Sequence, residues 1–160
     1  MAAPGILDSD DADRLAHLLW EVGAHAAILS EAALAATPLT PALSGVLDTV
    51  AAAPGISIAE MARRLPTSAQ NVSQLVARLE KLGFVERRLG ERGYGVALFV
   101  TDTGERAQRE ADARKTAFAA ELAVALGQPH HDELVRLLKH ARLVFAELTA
   151  ERRGASRANS

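Results

Sequence analysis

The sequence predicts a mainly α-helical protein with one short β-hairpin. Apolar residues recur at helical spacing in six segments, and two short runs near the middle are rich in β-branched and aromatic residues. The 49% of residues that are hydrophobic are mostly Ala, Leu and Val, with one Trp, one Tyr and four Phe. Such small side chains suit helices packed on helices. The 160 residues are expected to form one domain, or one body with an extended helical portion.

Composition excludes several kinds of site. There is no cysteine, which rules out disulfides and thiolate metal sites. No run approaches the roughly 18 apolar residues of a membrane span, and the acidic N-terminus lacks a signal pattern. The chain also lacks a glycine-rich nucleotide motif and a Gly-x-Ser-x-Gly elbow. We therefore expect a cytoplasmic protein that makes no membrane contact, has no cofactor and is not an enzyme.

The first helix is predicted to run from Ser9 to about Ala36. The Ser9 hydroxyl can cap it, and the aspartates that follow are favourable at the positive end of the helix dipole. The helix is long for a chain of this size. Residues 1–36 are therefore expected to form an N-terminal dimerisation segment.

The second and third helices carry clear start and stop signals. Thr40-Pro41 supplies a cap and a proline at the first helical position, and Pro54-Gly55 ends the second helix. Ser57 and Glu60 have the spacing of a capping box, which predicts the start of the third helix. Pro66 then closes that helix.

A fourth helix and a β-hairpin follow. Thr67 and Gln70 have capping-box spacing and predict the helix start, while Gly83 predicts its end. Residues 84–88 and 96–100 have the composition of strands and are joined by a loop with three glycines.

Two further helices complete the chain. The fifth is predicted at about residues 103–126, with Gly127 as its end signal, and the sixth begins at Pro129. Residues 103–150 are expected to form the C-terminal dimerisation helices, and residues 151–160 a disordered tail. The apolar stripe of the sixth helix is expected to lie in the dimer interface and consists of Leu134, Leu137, Leu138, Ala141, Phe145 and Leu148.

This order of elements describes a winged helix-turn-helix over residues 37–102, flanked by the long dimerisation helices. In this fold the second helix of the pair enters the major groove of double-stranded DNA. The polar face of the fourth helix holds Thr67, Ser68, Gln70, Asn71, Ser73, Gln74 and Arg78. Several of these residues are poor helix formers, but Asn and Gln can pair with adenine, and Ser and Thr can bond to several bases.

Cations concentrate around this helix. The net charge of the chain is −2, yet residues 63–92 contain seven Arg or Lys against three Glu. Arg87 and Arg88 lie in the first strand, and Arg92 lies in the glycine-rich loop, where it could reach a minor groove. Contacts of such side chains with phosphate would set the affinity without reading sequence.

The segments "SIAEMARRLPTSAQNVSQLVARLEKLGFVERR" and "VALFVTDTGE" resemble those of MarR-type winged-helix transcriptional regulators, over about residues 40–106. The resemblance implies a homodimer with interlocked terminal helices on a palindromic operator. It also implies repression that a small ligand relieves, from a site between the dimer helices and the DNA-binding lobe. Carried over by position, the polar set from Ser68 to Arg78 would read the major groove, and Arg92 would be the wing residue.

Three alternatives remain open from the residues. His17, Trp20 and Leu47 could line a ligand pocket, or Trp20 could belong to the core. The five histidines, with carboxylates such as Glu21, could make a metal-responsive regulator, although no metal site is predicted. A winged-helix module that binds protein instead of DNA would carry acidic or apolar residues on the fourth helix, which this chain does not.

Overall fold

The structure is a computed structural model and describes residues 9–89 and 96–158. The elements in chain order are α1 (Ser9–Leu34), α2 (Pro41–Ala52), α3 (Ile58–Arg64), α4 (Ala69–Lys81), β1 (Val85–Leu89), β2 (Val96–Val100), α5 (Asp102–Leu126) and α6 (Gln128–Ala158). The predicted fold class, mainly helical with one hairpin, is confirmed. The bounds of the helices and strands lie within a few residues of the prediction, except at the C-terminal end.

The predicted caps of α2 and α3 are both present. The Thr40 hydroxyl accepts a hydrogen bond from the Leu43 backbone N–H at 3.3 Å. The Ser57 hydroxyl accepts one from the Glu60 backbone N–H at 3.2 Å. Each bond satisfies a helix N–H that has no partner within the helix, so the sequence itself sets where these helices begin.

The cap of α4 differs from the prediction by one residue. Ser68, not Thr67, is the cap, and its hydroxyl accepts from the Asn71 backbone N–H at 3.2 Å. The Thr67 hydroxyl accepts instead from the side-chain amide of Asn71 at 2.8 Å. Two adjacent hydroxyl residues can both cap a helix, and the helix here begins one residue later than the Thr67–Gln70 spacing suggested.

The hairpin is a two-stranded antiparallel sheet in which Val85 pairs with Val100 and Leu89 with Val96. The segment before α3 adds to its edge, because the Gly55 N–H donates to the Leu98 carbonyl at 2.8 Å and Leu98 donates to the Ile56 carbonyl at 3.2 Å. An isolated hairpin is marginally stable, so this third segment and the core beneath it hold the wing base in place.

The lobe formed by α2, α3, α4 and the hairpin has its own core. Its fully buried side chains are Leu43, Val46, Leu47, Val50, Met61, Val72, Val76, Leu79 and Leu98. All of them come from the four elements of this lobe, and α2 and α3 both pack on α4. The lobe therefore holds α4 by apolar packing on one side only, which leaves the other side of α4 at the surface.

One junction ties the end of α4, the start of β1 and the start of α5 together. The Thr101 hydroxyl donates to the Gly83 carbonyl at 2.6 Å and accepts from the Gly104 N–H at 3.0 Å. The Thr101 N–H donates to the Phe84 carbonyl at 3.0 Å. Gly104 is buried against Phe84, where an added Cβ would lie 2.1 Å from the Phe84 carbonyl oxygen. The junction therefore requires a hydroxyl at Thr101 and a glycine at Gly104.

The last helix is longer than predicted. The expected disordered tail from residue 151 is wrong for residues 151–158, because α6 continues to Ala158. The segment lacks apolar periodicity, but Glu, Arg and Ala are good helix formers, and extending an existing helix costs far less than nucleating one. Within residues 9–89 and 96–158, no helix is both long and apolar enough to cross a membrane.

We expect Gly104→Ala to lower the free energy of unfolding by about 2–4 kcal/mol, because its Cβ would collide with the Phe84 backbone. Urea unfolding at one fixed protein concentration measures this. The matched control is Gly45→Ala in α2, whose Cβ would meet nothing within 4 Å and which should be neutral or stabilising by up to about 1 kcal/mol. Equal effects of the two substitutions would contradict this account of the junction.

Candidate nucleic-acid interface

The surface side of α4 carries the polar residues that the sequence singled out. Val72, Val76 and Leu79 are buried in the lobe. The opposite side exposes Ser68, Gln70, Asn71, Gln74 and Arg78, with Thr67 and Ser73 half-buried beside them. The helix therefore presents one continuous stripe of hydrogen-bonding side chains to solvent.

Most of this stripe is free to bond with a ligand. Among residues 9–89 and 96–158, the side chains of Gln70, Gln74 and Arg78 make no hydrogen bond or ion pair. Ser68 and Asn71 are different, since Ser68 caps the helix and Asn71 donates to Thr67 at 2.8 Å. Free donors and acceptors on a rigid helix are what base recognition requires.

The two strand arginines are already paired within the chain. Arg87 Nε donates to Glu80 Oε1 at 2.8 Å, and Arg88 Nε donates to Glu86 Oε1 at 2.7 Å. The Arg88 guanidinium also lies 4.7 Å from the centre of the Phe99 ring, in cation–π geometry. The two carboxylates offset the charges of both arginines. The pairing of Arg87 with Glu80 does not follow from the sequence, because the two residues belong to different elements. Arg92 lies outside the described residues.

Around the polar stripe, the cations that form no ion pair within the described residues lie on α3 and α4. In the part of the chain that the structure describes, Arg63, Arg78 and Lys81 form no ion pair. Arg64 does form one, with Glu60 on the same helix. The positive potential beside the polar stripe therefore comes from these three side chains rather than from the strand.

The terminal helices expose a large apolar surface. Many large apolar side chains are left exposed on α1 and α6, and we define the terminal apolar surface as the following members of that set: Leu15, Leu18, Leu19, Trp20, Val22, Leu29, Leu134, Leu137, Leu138, Phe145 and Leu148. Ala141 lies among them and is half-buried. A patch of this extent on a single chain is typical of an interaction surface.

The predicted pocket of His17, Trp20 and Leu47 does not form within the chain. Leu47 is fully buried in the lobe core, whereas Trp20 is 71% exposed on α1 and stacks on His17 with a ring separation of 6.3 Å. The alternative placement of Trp20 in the core of the chain is likewise wrong. Helical periodicity shows which residues share a face, but not which partner covers that face.

A groove lies instead between α1, α2 and α5. Its volume is about 190 Å³, and it is lined by Ser30, Ala33, Leu34, Pro41, Ser44, Gly45, Asp48, Lys115 and Phe118. Its polar end is a network in which Lys115 Nζ lies 2.8 Å from Asp48 Oδ2 and 3.2 Å from Ser44 Oγ. The groove is thus mostly apolar, with one cluster of charged and hydroxyl groups.

The Lys115 ammonium is stabilised in its charged form. Partial burial lowers its pKa, but hydrogen bonds to Asp112 and Asp48, and the charges of both carboxylates, outweigh burial and raise the pKa above its ordinary value. Gln108 on the same helix also donates to Asp48 at 2.9 Å. Asp48 therefore links the lobe to α5 through two side chains.

Two of the five histidines lie beside a carboxylate, each in a separate pair. His17 Nε2 lies 3.6 Å from Glu21, and His131 Nδ1 lies 3.0 Å from Asp132, with a hydrogen bond from His131 lowering the pKa of Asp132. Across the two described segments, no group of three His, Asp or Glu residues could hold a metal ion. These contacts therefore do not support a metal centre.

Residues 37–93 match the family model described as MarR family. A MarR family protein of Mycobacterium tuberculosis, Rv2887, solved in complex with DNA, is 29% identical with a TM-score of 0.67, and the match covers 79% of this chain and 96% of that chain. The same protein solved with salicylic acid matches at 29% identity over 79% and 95% of the two chains, with a TM-score of 0.64.

Streptococcus pneumoniae FabT, solved in complex with DNA, is 16% identical with a TM-score of 0.72, covering 86% of this chain and 99% of that chain. This identity is low, so FabT supports the fold alone. The comparison with curated proteins found no match.

Lys115→Gln is expected to lower the free energy of unfolding at pH 8 by less than about 1 kcal/mol, because the ammonium is 38% exposed and solvent screens its ion pairs. Because folding raises the pKa of Lys115, the ion pairs of its ammonium contribute their full stability below pH 10.5. That contribution is lost as the pH rises through the pKa of the folded state. The advantage of the wild type over Lys115→Gln should therefore decrease as the pH rises above 10.5. The control is Lys139→Gln on α6, and an advantage of Lys115 that persists undiminished at pH 11 would contradict the assignment.

Proposed function

We propose that this chain is a DNA-binding transcriptional regulator of the MarR family, whose model its winged helix-turn-helix domain matches, and that it acts as a homodimeric repressor. In this proposal the dimer binds a palindromic operator in double-stranded DNA and a small molecule releases it. The observation that carries the proposal is the polar stripe of α4, whose side chains are held on a rigid helix and are largely unpaired within the described residues. Rv2887, which is 29% identical to this chain, has been solved in complex with DNA, and this supports DNA as the ligand.

Bases are read by α4 in this proposal. Gln70, Asn71 and Gln74 carry amides, each of which can offer one donor and one acceptor to the edge of adenine. The helix has no carboxylate on this stripe, and its one glutamate, Glu80, is held by Arg87. Phosphates would therefore meet no unpaired negative charge there, which favours DNA over a protein partner as the ligand of this face.

Phosphates are held by the cations that lack a partner. Arg78 and Lys81 on α4 and Arg63 on α3 are exposed and unpaired among the described residues. Arg92 is proposed as the wing residue, from its place between the two strands. Arg87 and Arg88 contribute less than the sequence suggested, because each must leave a carboxylate before it can bind phosphate.

A second copy of the chain is proposed to cover the terminal apolar surface. The side chains exposed on α1 and α6 are Leu, Val, Phe and Trp, and leaving them in water is unfavourable by about 25 cal/mol for each Å² of apolar area. A twofold dimer buries the same surface on both copies and presents two α4 helices in opposite orientations. A palindromic operator is the DNA counterpart of that symmetry. Occupation of such a site excludes other proteins from the same DNA, which supports repression.

An effector is proposed to bind in the groove between α1, α2 and α5. The groove has apolar walls and a single polar end at Ser44, Asp48 and Lys115, which suits a small aromatic molecule with one polar group. Rv2887, which shares 29% of its residues with this chain, has been solved with salicylic acid and with p-aminosalicylic acid. These two compounds are therefore suitable probes.

Gly45→Leu is expected to abolish release of operator DNA by salicylate or p-aminosalicylate, because its side chain would grow into a groove where an added Cβ meets no atom within 4 Å. Affinity for the operator without effector should stay within about threefold of wild type, since residue 45 lies away from α4. Fluorescence anisotropy of labelled operator measures both quantities, and Gly45→Ala is the control that keeps the groove open. Release that is the same in Gly45→Leu and wild type would place the effector elsewhere.

Asn71→Ala and Arg78→Ala separate base reading from phosphate binding. Asn71→Ala should weaken operator binding by about 1–3 kcal/mol and relax preference at one base pair in each half-site. Arg78→Ala should weaken binding to every DNA sequence and reduce the slope of log K against log salt by about 1 per subunit. Titrations of operator and scrambled DNA at four salt concentrations measure both effects. Equal losses on all sequences for both variants would contradict the proposed division of roles.

A further inference from the structure

We infer that the side-chain amide of Asn71 is oriented before DNA binds, and that Thr67 is the positioning residue that orients it. This inference rests on the proposed function. It adds that Thr67 affects the choice of base indirectly, by orienting the amide of Asn71. Thr67 is one member of the polar stripe. Its hydroxyl, however, bonds to a neighbouring side chain in the free protein.

Asn71 is held at two points. Its backbone N–H donates to the Ser68 hydroxyl at 3.2 Å, and its side-chain Nδ2 donates to the Thr67 hydroxyl at 2.8 Å. Thr67 precedes the helix in a segment that is itself fixed, because it follows Pro66 and its backbone N–H donates to the Leu65 carbonyl at 2.8 Å. The hydroxyl that holds the amide therefore belongs to the turn between α3 and α4 and not to a mobile side chain on the helix.

The bond to Thr67 leaves the amide able to read a base. An Asn side chain has two N–H donors and a carbonyl oxygen. Recognition of adenine uses one donor, for N7, and the oxygen, for the N6 amino group. One N–H can therefore remain on Thr67 while the other N–H and the oxygen bind the base. Holding the amide in advance removes part of the entropy cost of ordering it in the complex.

The neighbouring amides lack this constraint. Among residues 9–89 and 96–158, the side chains of Gln70 and Gln74 make no hydrogen bond within the chain, and each has one more rotatable bond than Asn71. They must be ordered when the complex forms, whereas Asn71 is already ordered. Asn71 is therefore expected to discriminate between bases more sharply than either glutamine.

The two hydroxyl residues at the start of α4 have separate roles under this inference. Ser68 caps the helix, so its loss should destabilise the lobe and weaken binding to all DNA. The Thr67 hydroxyl holds the side-chain amide of Asn71. Replacement of Thr67 by valine, which keeps the size and the branched Cβ, should change the reading of a base and leave the fold intact.

The test compares Thr67→Val, Thr67→Ser, Asn71→Ala and the double variant Thr67→Val/Asn71→Ala with the wild-type protein. Operators with every single base-pair change are titrated, together with scrambled DNA. Asn71→Ala identifies the base pair that Asn71 reads. At that base pair, Thr67→Val should reduce the ratio of affinities for the correct and the changed operator by about three- to tenfold. Affinity for scrambled DNA should stay within about twofold, Thr67→Ser should behave as wild type, and the double variant should discriminate no worse than Asn71→Ala.

A second measurement needs no DNA. The order parameter of the Asn71 side-chain Nδ2, from ¹⁵N relaxation of the free protein, should be close to that of the rigid backbone, about 0.85, in wild type and Thr67→Ser. It should fall below about 0.6 in Thr67→Val. Urea midpoints of the variants, measured in parallel, show whether valine has disturbed the fold.

Three results would overturn the inference. The first is an order parameter of the Asn71 amide that is unchanged in Thr67→Val. The second is an equal loss of affinity of Thr67→Val for all DNA sequences. The third is that the effects of Thr67→Val and Asn71→Ala on discrimination at this base pair add fully in the double variant. Failure of the proposed function is a different result, in which the wild-type protein distinguishes no DNA sequence. In that case the order parameter still decides whether Thr67 orients Asn71.

Discussion

The hydrogen bonds of Thr101 at the start of α5 are the constraint on which the rest of the arrangement depends. They join the end of α4 at Gly83, the start of the hairpin at Phe84 and the first turn of α5 at Gly104. The approach of α5 to Phe84 is so close that only glycine fits at residue 104. Because α5 is one continuous helix of 25 residues, this junction helps to set the direction of α4 relative to the terminal helices.

A second connection between the same two parts lies in the groove. Asp48 on α2 accepts from both Gln108 and Lys115 on α5. The lobe is therefore attached to α5 at two places, by close packing at the Thr101 junction and by polar contacts at Asp48. A polar network exchanges partners at lower cost than a packed backbone contact, since water or a ligand can replace each bond.

The parts of the fold that could be predicted from sequence are those fixed by local physics. Thr40 and Ser57 were recognised as caps because a hydroxyl followed by a helical pattern needs only its own neighbours. The polar stripe of α4 follows from helical spacing alone. Partners in other elements are not predictable in this way, so the pairing of Arg87 with Glu80 and the Asp48–Lys115 network do not follow from the sequence. Trp20 shows the same limit, since periodicity placed it on a helix face but could not say that this face is uncovered within the chain.

Selection of binding sites from a random pool of double-stranded DNA, with purified protein at near-physiological salt, tests the central claim most directly. The account predicts enrichment of an inverted repeat whose half-sites are centred about 10 base pairs apart, one turn of the double helix. That result requires both a base-reading α4 and a twofold dimer. Enrichment of no sequence by a well-folded protein, or of a single half-site without symmetry, would contradict it.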